Sequence, residues 1–343
     1  MKNSKRIFVI SSLNYDPIKM FFQVRKFIKG FFRLGHDVME FNYTQALRGM
    51  CPIKSKTIAL KWYKPKADAL LIEQIKSYEP HIVLLTFARG LDKSSLELIK
   101  THAPQATIVG LDGDPWPKRQ KGRIQTAQAT DIMFATNDGQ WLQDYRDEGI
   151  KACHFLPNAC DPDIEYKHEV SEKFKSNILW IGALEHSADP SYELRKKIIE
   201  ELAKRNDSRI FGCCGQGKIG GMDCIYTMSG AKIGVSINAY EGIRLCHSDR
   251  LIRLLSCGTF VLSNRFPGCE LLYQDGKHLK YFDSFKEFFE LAQWYLEHED
   301  ERKKIAHAGM NWVHEQFNCV KIAGYMLDVI EKGAYNAPWN TKM

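Results

Sequence analysis

The chain has 343 residues, 44% of them hydrophobic, which is more than a single core usually supports and enough for two domains with a core each. No apolar run approaches the ~18 residues of a membrane span, and the apolar segment after Arg6 is too short for a signal peptide, so the expected compartment is the cytoplasm. The net charge is +7, yet residues 1–65 hold thirteen Lys/Arg against three Asp/Glu, so the excess basicity lies in one segment and points to an anionic partner there: phospholipid headgroups, a phosphate-bearing acceptor or nucleic acid.

Strand and helix signals alternate from the amino terminus. Strand Arg6–Ser11 is followed by helix Pro17–Leu34, a Gly35-His36-Asp37 turn, strand Val38–Tyr43, a polar loop, helix Ala67–Tyr78 and strand His81–Phe87. Helix Lys93–His102, strand Ala106–Leu111, helix Arg123–Ala129, strand Asp131–Thr136, helix Gly139–Glu148 and strand Ala152–Leu156 continue the rhythm. Such alternation predicts a parallel sheet covered on both faces, a Rossmann-like domain over 1–160. Pro-Asn and Asp-Pro-Asp then break the pattern, and 161–176 reads as a linker.

The alternation restarts with strand Asn177–Ile181, helix Tyr192–Asn206, strands Ser208–Cys213 and Lys232–Ile237, helix His247–Ser256 and strand Thr259–Ser263. Helices Phe285–His298, Asp300–Gln316 and Val320–Lys332 close the chain. A second α/β domain over 177–320 is expected, with 321–343 returning to the first domain. Two such domains in tandem are expected to face a cleft at the carboxyl ends of their strands. Gly215-Gln216-Gly217-Lys218-Ile219-Gly220 spells G-x-G-x-x-G, but it follows a later strand with no helix expected soon after, so it reads as a flexible loop and not as a dinucleotide site. The ten cysteines have no regular spacing and two are adjacent; they read as reduced thiols, with no zinc-ligand pattern.

The run from Asp249 to Phe282 joins an arginine-bearing helix, a Cys257-Gly258 turn, a buried strand, a Pro267-Gly268 loop ending in Glu270, and an Asp-Gly turn. This order resembles the donor half of the GT-B glycosyltransferases of group 1, whose pattern is arginine, glutamate three residues on, glycine, apolar strand, loop with glutamate, Asp-Gly. The resemblance implies a GT-B-like α/β fold and transfer of a sugar from a UDP-, GDP- or dTDP-sugar to an acceptor hydroxyl, with no obligatory metal or other cofactor. It implies a donor-binding set drawn from Gly182, Arg250, Arg253, Asn264, Gly268, Glu270 and Glu241, with Arg250 on the diphosphate, where a guanidinium suits phosphate through forked, charged hydrogen bonds. The chain departs from the pattern at two places: Arg253 stands where the family has the glutamate implied to hold the ribose, and Leu245 stands where the retaining branch has a second glutamate. Arginine accepts no hydrogen bonds, so either Glu241 or Glu270 holds the ribose or the donor sits differently.

Leu111-Asp112-Gly113-Asp114-Pro115-Trp116-Pro117 ends a strand of the first domain, where an α/β fold places chemistry. Asp114, with Asp112 next in line, is the candidate general base, and Trp116 a stacking face; an Asx turn before proline is the plain alternative. On helix Pro17–Leu34 the arc of Phe21, Val24, Phe27, Ile28, Phe31 and Phe32 is expected to pack, while Arg25, Lys29 and Arg33, with Phe22 among them, face outward. That outer face suits a lipid-linked or anionic acceptor and peripheral contact with the inner membrane, or else is an ordinary solvated face. Nucleic-acid glucosylation and a non-catalytic binding protein of the same fold are the rival readings.

Overall fold

The computed structural model describes residues 4–12, 23–53, 55–86, 91–113, 121–184, 191–240 and 242–340. The chain divides into two compact units, one built mainly on Phe22–Pro157 and the other on Asn158–Lys321.

In the first unit six parallel strands, β1 (Arg6–Ser11), β2 (Asp37–Asn42), β3 (Ile82–Thr86), β4 (Thr107–Asp112), β5 (Ile132–Ala135) and β6 (Ala152–Phe155), pair in the order β2-β1-β3-β4-β5-β6. The inner strands are near-continuous apolar runs because helices cover both faces. Phe8, Ile10, Val83, Leu85 and Ile108 meet Leu71, Ile75, Leu96 and Ile99 in one buried cluster. The helices are α1 (Gln23–Arg33), α2 (Tyr43–Met50), α3 (Lys56–Ile58) continuing through the π-helical turn Ala59–Tyr63 into α4 (Lys64–Tyr78), then α5 (Lys93–His102), α6 (Lys121–Ala127) and α7 (Gln140–Asp147).

The polar loop expected between Tyr43 and Ala67 is therefore mostly helical. Asn42 caps α2 by accepting from the Gln45 amide (3.1 Å), and Pro65 lies in the first turn of α4, both readable start signals. Tyr43 then locks α2 to α4 by donating to the buried Asp68 (2.7 Å), which also pairs with Lys64 one turn earlier in the same helix (2.6 Å).

α1 also rotates relative to expectation. Phe32, expected to pack, is 52% exposed, and Lys26, a basic residue next to the outward-facing Arg25, is buried. Phe22 lies outside the described residues.

Ile322–Tyr335 belongs to the first unit, so most of α14 (Cys319–Lys332) packs there. Lys5 pairs with Glu331 (3.1 Å) and the Tyr335 hydroxyl donates to the Phe155 carbonyl.

The second unit holds β7 (Ser176–Ile181), β8 (Ser208–Phe211), β9 (Ala231–Ser236), β10 (Phe260–Asn264) and β11 (Lys280–Phe282), all parallel in the order β11-β10-β9-β7-β8. Its helices are α8 (Ser191–Leu202), α9 (Gly221–Gly230), α10 (Asp249–Ser256), α11 (Cys269–Leu272), α12 (Phe285–Glu297) and α13 (Glu299–Gln316). α12 starts at a capping box: Ser284 accepts from the Glu287 amide (3.2 Å), and Glu287 accepts from the Asp283 amide (2.7 Å).

Two expectations change here. Helix α9 begins directly after Gly220, so the glycine-rich stretch is a strand-to-helix connection and not an isolated flexible loop. Its alternating glycines hide a helix whose buried face is Cys224, Ile225, Thr227 and Met228. In the stretch read as a linker, Glu165 is completely buried within the second unit and accepts from the Asp161 amide (2.8 Å).

Candidate functional site

The carboxyl edge of the second sheet gathers the strongest chemistry. Trp180, in β7, is fully buried, and its indole donates to the carbonyl of Gly182 (3.0 Å). Arg250, in the first turn of α10, lays its guanidinium 3.9 Å from the centre of that ring, while Arg195 of α8 approaches the same ring at 5.0 Å. The two Arg250 terminal nitrogens donate to the carbonyls of Ile181 and Ile237, each at 2.8 Å, so this side chain ties the ends of β7 and β9 together. Its Nε is buried with no hydrogen-bond partner among the described residues.

Burial and the neighbouring Arg195 push the Arg250 guanidinium well below its ordinary value. A buried guanidinium whose terminal nitrogens meet only carbonyl oxygens, with Nε unpartnered among the described residues, suits a bound anion beside it.

Gly182 is required by this arrangement. A Cβ there would sit 2.5 Å from Nη1 of Arg250. Of the donor set that the resemblance implies, Gly182 does not offer its amide to a diphosphate, because that N–H donates to the Phe211 carbonyl (2.9 Å). Arg195 is a site residue that the sequence does not separate from Lys196 and Lys197; only the direction of its side chain does.

Asn264 and Asn238 close the adjacent edge. The Asn238 amide donates to the Asn264 side-chain oxygen (2.9 Å), and the Asn238 side chain donates to Cys246 (3.0 Å) and accepts from the Ser248 amide (3.2 Å). Asn264 thus acts through a second asparagine on the loop that enters α10. In that loop Leu245 has φ +56°, a left-handed backbone rare for a branched side chain, and Pro267 receives its amide at 2.8 Å. The strained residue stands at the position where the resemblance places a glutamate. A Cβ on Gly268 (φ +79°) would meet Leu245 at 2.9 Å, so the two loops are fitted to each other.

His247, next in this loop, is buried and held down to about 4 by loss of solvent. Unfolding releases it to a value near 6.5, so the unfolded chain binds the proton more readily. Stability is therefore expected to fall as pH drops from about 6.5 towards 4, and His247→Asn to flatten that decline in denaturant midpoints.

Other expected site residues fall elsewhere. Arg253 is not positioned as a donor ligand: its Nε pairs with the buried Glu165 at 3.0 Å, and its Nη2 lies 3.5 Å from the Cys224 sulfur. Glu270 is exposed in the first turn of the four-residue α11. Asp112 is corrected as a candidate base, because Arg123 donates to one carboxylate oxygen and the Tyr145 hydroxyl to the other (2.7 Å), leaving a buried, saturated pair. Asp114, Trp116 and Glu241 lie outside the described residues. On α1, Arg25 and Arg33 are exposed and Lys29 is half-buried. Among the described residues, no cluster of His, Cys, Asp and Glu could hold a metal ion, and no helix is long and apolar enough to cross a membrane.

Residues 195–328 match the family described as glycosyl transferase-like. No curated protein matches the chain. Among solved structures, it is similar to a glycosyltransferase from Rickettsia africae, at 14% identity over 96% of this chain and 98% of that one, with a TM-score of 0.62. Anabaena HepE in complex with UDP-glucose superposes at a TM-score of 0.57, with 11% identity over 95% and 99% of the two chains. An alpha-glucosyltransferase in complex with UDP and a 13-mer DNA superposes at 0.60, with 13% identity over 96% and 100%. Residues 195–328 thus match a glycosyl transferase-like family, and the two-sheet architecture, shared along nearly the full length of these structures, is the GT-B fold.

Proposed function

We propose that the chain transfers a sugar from a nucleotide-sugar to an acceptor hydroxyl in the synthesis of a cell-surface or lipid-linked glycan. The observation that carries this reading is the Arg195–Trp180–Arg250 group at the carboxyl edge of the second sheet. When the glycosidic bond to the donor breaks, negative charge gathers on the leaving diphosphate, and preorganised guanidinium donors beside a dry indole stabilise it. UDP is the first ligand to test, because the similar structures are complexes with UDP-glucose or UDP; GDP and dTDP follow. Asp114 is the proposed general base, since Asp112 is committed to Arg123 and Tyr145. The exposed Glu270, and Glu241, which lies outside the described residues, are the carboxylates left to accept from a ribose, in place of Arg253.

Calorimetric titration with the three nucleoside diphosphates tests the donor site. Arg195→Ala is expected to weaken the bound diphosphate by ~1.5–3 kcal/mol, the worth of a charge-assisted hydrogen bond. Unchanged affinity would remove Arg195 from the site. Gly182→Ala should act similarly by displacing Arg250, through the 2.5 Å clash of the new methyl with Nη1. For the base, Asp114→Asn is expected to cut turnover about 100-fold while leaving donor affinity in place. Turnover close to wild type would put the base elsewhere.

A second reading, glucosylation of nucleic acid, draws support from the basic first 65 residues and from the DNA-bound neighbour. It predicts duplex binding that falls steeply with salt. A fold that binds the donor without transferring it would show diphosphate affinity and no turnover with any sugar of the panel.

A further inference from the structure

Between Glu40 and Asp68 the chain has six basic residues, Arg48, Lys54, Lys56, Lys61, Lys64 and Lys66, and no acid. The topology says where this segment lies in the first unit. α2 begins directly after the carboxyl end of β2, while α4 delivers the chain to the amino end of β3, so the amino end of α4 lies at the carboxyl edge of the sheet. The stretch Tyr43–Tyr63 leaves and re-enters the body of the unit at that one edge and forms a helical cap on it. The cap is anchored, not dangling, by the Tyr43 hydroxyl on the buried Asp68 of α4.

Its outer surface exposes large apolar side chains. Trp62 is 65% exposed, Ile53 57% and Leu70 39%. Trp62, Lys66 and Leu70 follow at i, i+4 and i+8, and Lys61, Pro65 and Ala69 between them are exposed as well. Lys61 lies 5.5 Å from the Trp62 ring centre, and Lys66 lies 5.6 Å from that of Tyr63. Scattered exposed apolar residues need no explanation, but a tryptophan and an isoleucine on one acid-free basic segment, with Leu70 just beyond the buried Asp68, do. An indole suits the headgroup level of a bilayer, where its apolar body is buried and its N–H stays wet. Flanking ammonium groups reach lipid phosphates while their stems cover apolar surface. A duplex backbone would use the lysines but has no use for Ile53 or Leu70.

We propose that this cap, through Ile53 and the Lys61–Leu70 face, docks on an anionic lipid bilayer and so holds the carboxyl edge of the first sheet at headgroup level. The inference rests on the reading above that the acceptor is lipid-borne, and it moves the contact from α1 to the cap. The full chain is to be sedimented with phosphatidylglycerol–phosphatidylcholine vesicles and with pure phosphatidylcholine vesicles, at low and high salt. Binding only to the anionic vesicles, weakened by salt, is expected. Trp62→Ser and Ile53→Ser should each lower the partition coefficient roughly ten-fold, since each loses burial of a large apolar side chain. Lys61→Ser with Lys66→Ser should lower it and reduce the salt dependence.

UDP affinity, measured without vesicles on the same proteins, should be equal in all of them. Its absence from every protein, wild type included, would defeat the donor reading and leave the vesicle result to judge the docking surface. A wild-type chain that does not sediment, or a Trp62→Ser protein that sediments like wild type, would overturn the docking surface. So would duplex DNA binding that the same substitutions abolish in the absence of vesicle binding.

Discussion

Arg250→Ala is expected to destabilise the second unit by about 3–5 kcal/mol and to abolish measurable nucleoside diphosphate binding. Removing the guanidinium strips the buried carbonyls of Ile181 and Ile237 of their donors, both at 2.8 Å. Each buried acceptor left unmade costs about 1–3 kcal/mol, and the space beside Trp180 adds a cavity cost. The loss should appear as a lower urea midpoint with little change in slope. Arg195→Ala separates the two roles of the pair, because Arg195 donates to the carbonyl of Ala183, past the end of β7, where Arg250 joins the ends of two strands. It should lose diphosphate affinity at a smaller cost in stability. An Arg250→Ala protein as stable as wild type would refute the bridging role, and one that binds UDP normally would refute the anion site.

How much of this was legible in the sequence follows from the kind of signal each feature leaves. Strands such as Arg6–Ser11 and helices such as Lys93–His102 stand in the structure at the bounds their periodicity predicts, because a parallel sheet buried on both faces writes its apolar runs plainly. The arginine of α10 was legible as well, through the order of helix, Cys-Gly turn and strand. Its second duty was not: nothing in the spacing announces that Arg250 crosses to the ends of β7 and β9, or that Gly182 is a glycine because Arg250 lies against it. Polar helices were the least legible. α2 and α9 bury narrow or mixed faces, Tyr43 and Leu47 in the first and Cys224, Thr227 and Ser229 among others in the second, so their composition reads as loop. Asp112 misleads for a general reason. The carboxyl end of a strand is where an α/β fold puts chemistry, but whether a carboxylate there is available depends on partners such as Arg123 and Tyr145 that come from later in the chain.

The position of Arg253 yields the second large prediction. Its partner Glu165 comes from 88 residues earlier, and the Glu165 side chain is only 1% exposed. Burial alone would depress the Arg253 guanidinium, but Cys224, Glu165 and Asp249 around it raise it above its ordinary value. Glu165→Ala is expected to cost about 3–5 kcal/mol, because it leaves that guanidinium buried without its carboxylate and frees the Asp161 amide. The paired change Glu165→Leu with Arg253→Met should recover most of the loss, since apolar groups of similar volume replace a buried pair with little net cost. Nucleoside diphosphate affinity distinguishes this structural role from the donor-binding role that the family pattern implies. If Arg253 and Glu165 serve only each other, the double variant binds UDP as tightly as wild type, and turnover is unchanged. A ten-fold or greater weakening in a double variant of native stability would return Arg253 to the donor site and make Glu165 the residue that aims it.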